Sequence, residues 1–244
     1  ASSAACKTEV ATHSATLTEI DRNSPTTVSF KLEADKAISF LPGQYVNLVV
    51  PGTQETRAYS FSSAPNQSGV SFLIRDVPNG LMSTFMRQKA STGDTMTFTG
   101  PFGSFYLRPV ERPVLMLAGG TGLAPFLSML LSLQNNPPAQ PILLAYGVNT
   151  NDDLVELETL AALKAAIPSL EFFTVVVDKA SGHPKTGYVT DHLAPAQLHD
   201  GNVDVYVCGP PPMVEGVRKW MDGAGVTPNS FHFEKFSSST AGAH

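Results

Sequence analysis

Up to about Leu107 the chain alternates apolar with polar positions. Val28, Phe30 and Leu32 share one face of an extended segment, Val46, Leu48 and Val50 a second, and Val70, Phe72 and Ile74 a third; Met96 and Phe98 continue the pattern. Turn signals separate these runs at Ser24-Pro25, Pro42-Gly43, Pro51-Gly52, Asn66 to Gly69 and Thr92-Gly93-Asp94. A side-chain period of two between closely spaced turns predicts a small antiparallel barrel or sandwich. One helical stretch, Met82 to Ala90, interrupts it after Asn79-Gly80.

Beyond Arg112-Pro113 the grammar changes. Val114 to Ala118, Ile142 to Tyr146, Phe172 to Val177 and Val203 to Val207 are nearly continuous apolar runs, as strands buried on both faces require. Segments with helical spacing lie between them: Ala124 to Leu133, Leu154 to Ile167, with Leu157, Leu160, Ala161 and Leu163 on one stripe, and Pro211 to Met221. A last short strand is expected at Phe231 to Phe233. Strand–helix alternation predicts a parallel sheet flanked by helices, an α/β domain that follows the antiparallel one. The expected division is a remnant of linker over 1–9, a barrel domain over 10–110 and an α/β domain over 111–244.

Composition narrows the function. The chain has 244 residues, 42% hydrophobic and 15% charged, which is a core-forming balance. A net charge of −5 without a block of Lys or Arg argues against a nucleic-acid groove or an anionic-membrane anchor. The longest apolar runs fall far short of the roughly 20 residues that span a bilayer. No basic-then-apolar leader opens the chain, and its first residue, Ala1, reads as the start of a processed or cut product. Cys6 and Cys208 could form one disulfide at most; they cannot supply the ligands of a structural zinc or an ordinary iron–sulfur cluster, and the histidines show no metal-ligand spacing. No metal site is expected, and the expected location is the cytoplasm.

Four patterns carry candidate chemistry. Gly119-Gly120-Thr121-Gly122 follows a buried strand and opens a helix, so its free N–H groups face the sheet's carboxyl edge; it is either a pyrophosphate site or a tight structural turn. Cys208-Gly209-Pro210 ends another buried strand at the same edge, as a ligand loop or a plain Gly-Pro turn around a buried thiol. Arg57-Ala58-Tyr59-Ser60 places Arg57 and Tyr59 on one strand face and Ser60 on the other, and by pattern alone a solvated Arg beside a half-buried Tyr is the reading to prefer over a ligand site. Arg75 to Ser83 runs from a strand through a turn into a helix, as a second phosphate cradle or a capped surface helix.

In this order the four patterns resemble the ferredoxin–NADP reductase superfamily: R-x-Y-S, R-x-V-x-x-G-x-x-S, G-G-T-G-x-x-P and a late C-G-P, closed by Phe231-His232-Phe233-Glu234-Lys235-Phe236. Gly100 to Leu107 and the Phe-Glu-Lys-Phe ending resemble the reductase components of benzoate- and anthranilate-type ring-hydroxylating dioxygenases. The resemblance implies an FAD-binding barrel followed by a nicotinamide-binding α/β domain. It also implies hydride transfer from NADH to FAD, then release of single electrons to a [2Fe-2S] ferredoxin-type domain and, through it, a terminal oxygenase.

By position it implies that Arg57 holds the FAD pyrophosphate, Tyr59 packs on the isoalloxazine and Ser60 bonds near its N5. Arg75 and Val77 would border the flavin, and Gly80, Met82 and Ser83 would cradle the pyrophosphate. Gly119, Gly120, Thr121 and Gly122, with Gly209 and Pro210, would receive the dinucleotide. Asp178 would repel a 2′-phosphate and so select NADH. Thr121 and Cys208 would flank the nicotinamide, Phe236 would cover the flavin ring, and Glu234 would lie nearby; Ser60, Cys208 and Glu234 are the expected catalytic residues. The cluster domain that precedes such barrels, with its C-x4-C-x2-C motif, has no counterpart in this sequence, so no cluster is expected in this chain. The alternatives are a flavohaemoprotein-type reductase domain and a non-catalytic nucleotide-binding subunit.

Overall fold

A computed structural model describes residues 8–236 of the chain; Cys6 and most of the expected linker lie outside them. Six strands form the first sheet: β1 (Ala11–Asp21), β2 (Thr27–Ile38), β3 (Tyr45–Val49), β4 (Thr56–Ser60), β5 (Gln67–Arg75) and β6 (Thr95–Phe102). Their order is β4-β3-β6-β1-β2-β5, and each pair is antiparallel. The sheet curls into a half-barrel whose edges meet where the Ser62 N–H donates to the Ser71 carbonyl at 2.9 Å.

The alternating triplets account for this curl. Val28, Phe30 and Leu32 stand directly opposite Ile74, Phe72 and Val70, so their apolar faces close on one another. Phe61, immediately after β4, stacks on Phe40 at 3.8 Å and meets Phe72 and Phe98 at 5.5 and 6.5 Å. Helix α1 (Leu81–Gln88) covers one end of this core with Met82 and Met86.

The second sheet is fully parallel, in the order β11-β10-β7-β8-β9: β7 (Val114–Gly119), β8 (Ile142–Val148), β9 (Leu170–Val176), β10 (Asp204–Gly209) and β11 (Ser230–Lys235). Helices α2 (Leu123–Leu133) and α3 (Leu157–Ala166) pack on one face, and α4 (Pro211–Ala224) on the other. Successive residues of β7 divide between the layers: Val114, Met116 and Ala118 face α2, while Leu115 and Leu117 face α4. The run in β9 is less buried than its apolar sequence implies, because β9 is an edge strand. The stripe on α3 is also corrected: Leu160 and Leu163 are buried, but Leu157 and Ala161 are exposed, since only one turn of this short helix reaches the sheet.

Residues 103–113 join the two layers and are held by both. Phe105 sits in the second core against Phe126 and Tyr206, whereas the Leu107 N–H donates to the Pro42 carbonyl at 2.9 Å. The chain builds outward from β7 to β8 and β9, then crosses back to β10 and β11 on β7's other side. The strand order therefore reverses between β7 and β8 on one side and β10 on the other, and ligands bind at such a reversal, beyond the strands' carboxyl ends.

Candidate active site

A cleft of about 930 Å³ opens between the curled sheet and that reversal point. Arg57, Tyr59, Ser60, Arg75 and Val77 line it from the first domain, together with Gly80, Met82 and Ser83 at the start of α1. Gly119, Gly120, Thr121, Pro210, Glu234 and Phe236 line it from the second. Because β4 is an edge strand ending at the cleft, both of its faces border the space, and Ser60 joins Arg57 and Tyr59 there instead of pointing away.

The Arg57 side chain is mostly buried, yet its only partners among the described residues are the neighbouring Thr56 carbonyl at 2.8 Å and the exposed Glu55 carboxylate at 3.5 Å. A half-committed buried guanidinium beside an open cleft suits a phosphate. Burial pushes the Tyr59 phenol well above its usual range, with Arg57 opposing the shift, so Tyr59 offers a neutral ring.

At the carboxyl end of β11, burial raises the Glu234 carboxyl to about 7, and the nearby Ser60 hydroxyl offsets part of the rise. Among the described residues neither Glu234 Oε2 nor Ser60 Oγ has a partner within full hydrogen-bond distance, although both are buried and near each other. Two orphaned polar atoms facing one cleft fit a ligand with a donor and an acceptor, which a flavin ring edge carries. Phe236 is tied back by its N–H to the Gly209 carbonyl at 2.8 Å, which leaves its ring beside Glu234 at the cleft wall.

Four expected ligand residues stand elsewhere. A Cβ on Gly122 would run into the Cys208 carbonyl, and one on Gly209 would meet Met213 Sδ at 2.7 Å and Gly119 Cα at 3.2 Å. These glycines let the β7 and β10 loops pack against each other; they do not border the cleft. Cys208 is fully buried behind them, paired in register with Glu234. Burial, with the Glu234 carboxylate, pushes its thiol up, so it is a neutral group and not a thiolate. The Asp178 carboxylate accepts the Ala180 N–H at 2.9 Å and shapes its own turn. Ser83 borders the cleft, but its hydroxyl bridges the Val77 N–H and C=O at 3.0 and 3.2 Å, so it organises the cradle from within.

Reading the sequence missed Tyr45 and the segment Gly187–Thr190, which also line the cleft. Tyr188 is 67% exposed there, a flat ring left out of the core. Its sequence signal is an aromatic residue after a glycine in a loop that follows a parallel strand.

The Glu234 shift has a measurable consequence. Unfolded, the carboxyl titrates near 4.5, and the fold raises it to about 7. Below 4.5 the carboxyl is neutral in both states and costs nothing; from there the ionised form is increasingly disfavoured in the fold until about pH 7, above which the loss is constant. Glu234→Gln should therefore melt progressively higher than wild type as pH rises through this window, with a plateau above it. Thermal unfolding at a series of pH values checks this, and a difference independent of pH would refute the buried-carboxyl reading.

Among the described residues no helix is long and apolar enough to cross a membrane. Two domain families match the chain: the oxidoreductase FAD-binding domain over residues 14–106 and the oxidoreductase NAD-binding domain over residues 116–219. The 2-halobenzoate 1,2-dioxygenase electron transfer component of Burkholderia cepacia is 51% identical over 242 residues, covering 97% of this chain and 71% of that protein. The toluate 1,2-dioxygenase electron transfer component of Pseudomonas putida is 46% identical over 241 residues, covering 98% and 72%. An Amycolatopsis cytochrome P450 reductase has a similar structure, with a TM-score of 0.84 at 30% identity over 94% of this chain and 71% of that one. The ferredoxin reductase in carbazole 1,9a-dioxygenase has a TM-score of 0.83 at 25% identity, over 94% and 70%. With a curled antiparallel sheet and a parallel sheet meeting at one cleft, this chain belongs to the ferredoxin reductase-type oxidoreductases that bind FAD and NAD.

Proposed function

We propose that the chain is the NADH-oxidising portion of an electron transfer component serving a ring-hydroxylating dioxygenase. It passes single electrons to a [2Fe-2S] ferredoxin-type domain and so to a terminal oxygenase. Residues 10–110 are taken as the flavin unit and 111–244 as the nucleotide unit. The observation that carries this reading is the single cleft that brings Arg57, Tyr59 and Ser60 against Thr121, Glu234 and Phe236. The names of the dioxygenase electron transfer components given above support the oxygenase partner, and a cytoplasmic location goes with NADH as reductant.

FAD, when bound, supplies a centre that takes two electrons at once and gives them up singly. The chain's residues bind and orient it. Arg57 would hold the pyrophosphate, together with the uncapped N–H groups at the start of α1 around Gly80 and Met82. Arg75 and Val77 would border the flavin, and Tyr59 would pack against its ring. Ser60 would offer a hydrogen bond near the flavin's reactive edge, and Glu234, poised near neutrality, could hold or release a proton beside it.

Gly119, Gly120, Thr121 and Pro210 accept the nicotinamide dinucleotide, and Tyr188 offers a stacking face for its base. Phe236 would cover the flavin ring and would have to move aside for the nicotinamide. Gly122, Gly209 and Cys208 act one layer back, by fixing these loops. The cations lining the cleft are Arg57, Arg75 and Lys235, and none comes from the ends of β8 or β9, where the adenosine ribose would lie. That favours NADH; the exposed Lys179 in the turn after β9 lies outside the cleft lining and is the cation a 2′-phosphate would have to recruit.

The test is anaerobic mixing with NADH. The flavin should bleach, kcat/KM with NADH should exceed that with NADPH, and ferricyanide should be reduced quickly. Cytochrome c should be reduced slowly until a separate [2Fe-2S] domain is added, because two cysteines cannot hold a plant-type cluster. Cytochrome c reduction that is equally fast without that domain would overturn the proposed electron route.

A further inference from the structure

Helix α1 spans only Leu81–Gln88, and its N-cap residue, Gly80, has no side chain to hold it. Two turns of helix are not stable alone, so its placement must come from outside. Met82 and Met86 supply the apolar packing, and two arginines supply the polar ties. Arg22, just past β1, donates to carbonyls at the end of the helix and just beyond it, from Nε to Met86 O at 2.8 Å and from Nη2 to Ala90 O. Arg87, on the helix, points the other way. Its Nε and Nη2 grip Asp76 Oδ2 at 2.9 and 2.8 Å, its Nη1 reaches Arg22 O at 2.8 Å, and its Nη2 also reaches Ser24 O and Thr27 O at 2.8 and 3.0 Å.

The β1–β2 turn gripped in this way makes a further contact. Ser24 Oγ and Thr26 Oγ1 both donate to the Asp152 carbonyl, at 3.3 and 3.4 Å. Asp152 belongs to the nucleotide domain, in the loop after β8, and its neighbour Asp153 has its carbonyl bonded by the buried Tyr146 hydroxyl at 3.2 Å. Asp153 and Val155 of that loop line the cleft. Arg87 does not line it, so one guanidinium outside the cleft joins the start of α1 to the loop of the other domain.

We propose that Arg87 is a positioning residue for hydride transfer, setting both the FAD cradle at Asp76 to Ser83 and, through the Ser24–Thr26 turn, the seating of the nucleotide domain against it. This rests on the reading of that turn as the pyrophosphate cradle. Arginine is required because a lysine has one nitrogen to share among acceptors that lie in several directions. The two functions separate at the turn. The Arg87–Asp76 arm bears on flavin binding, while the Ser24 and Thr26 hydroxyls bear on the approach of the nicotinamide.

The test uses the full chain as wild type, Arg87→Met, Arg87→Lys and the double variant Ser24→Ala/Thr26→Val. FAD affinity is read from flavin fluorescence, and the limiting rate of anaerobic bleaching by NADH is read at saturating FAD. Loss of several charge-assisted bonds should weaken FAD binding about tenfold or more in Arg87→Met, and Arg87→Lys should recover little of it. The double variant should keep FAD affinity within about twofold but lower the limiting bleaching rate by about threefold or more, the cost of a small misplacement of reacting groups. Wild-type FAD affinity in Arg87→Lys would overturn the proposal, because a charge for Asp76 would then suffice. An unchanged bleaching rate in the double variant would overturn the link between domains. If Arg87→Met does not fold, the other two variants still decide. Failure of the wild-type chain to bind FAD would instead remove the flavin reading beneath the proposal.

Discussion

Arg57→Ala should bind FAD about 100-fold more weakly than wild type, the effect of losing roughly 2–3 kcal/mol of charge-assisted hydrogen bonding to a phosphate in a sheltered site. The guanidinium is mostly buried and holds only a neighbouring carbonyl and one exposed carboxylate, so its removal disturbs few contacts within the protein. The loss should therefore fall on the cofactor and not on the fold. A titration that follows flavin fluorescence reads the affinity, and circular dichroism reports whether the curled sheet persists. An alanine variant that retains wild-type affinity would remove Arg57 from the site. A variant that unfolds would assign the residue to the core of the strand edge instead.

The second large effect is expected at a glycine that does not line the cleft. Gly122→Ala would drive a Cβ into the Cys208 carbonyl, with Cys208 C at 2.7 Å and Gly209 N at 3.1 Å beside it. All three are backbone atoms of a buried parallel strand and cannot rotate away, so the β7 and β10 loops must separate. Overpacking of this kind costs about 2 kcal/mol or more, which in a chain of this length lowers Tm by at least several degrees. Gly223→Ala is the control: it sits in α4 with nothing within 4 Å of its added Cβ, so it should raise stability by up to about 1 kcal/mol. Nicotinamide binding should also suffer in Gly122→Ala, because Gly119, Gly120 and Pro210 ride on the same two loops. Equal melting of Gly122→Ala and wild type would show that the loops are not in the tight contact described.

The contrast between these two residues marks how much of the site could be read from the chain. Arg57 is singled out with Tyr59 and Ser60 by the R-x-Y-S resemblance, and the structure brings all three to the cleft. Gly122 was assigned to the same task as Gly119 and Gly120 because the three are contiguous in a phosphate-type loop. Only the second loop, some 86 residues later in the chain and packed against it, distinguishes a glycine that admits a ligand from one that admits a strand. Ser83 and Asp178 carry a local task that the sequence pattern did not show. Their side chains turn inward to satisfy nearby backbone groups, and local hydrogen bonding of short polar side chains is invisible in a pattern of residue types.

The fold was written in the periodicity. Alternation in the first part and unbroken apolar runs in the second suffice for an antiparallel sheet followed by a parallel one, because burial on one face or on two dictates those patterns directly. What periodicity lacks is the partner of each edge. The exposed side of β9, the idle face of α3 and the cleft's use of both faces of β4 all depend on which element lies alongside, and so do the orphaned oxygens of Ser60 and Glu234. The grip of Arg87 on three carbonyls and a carboxylate is the same kind of fact: main-chain acceptors carry no signature in the sequence, and only the packed chain brings them within reach of one side chain.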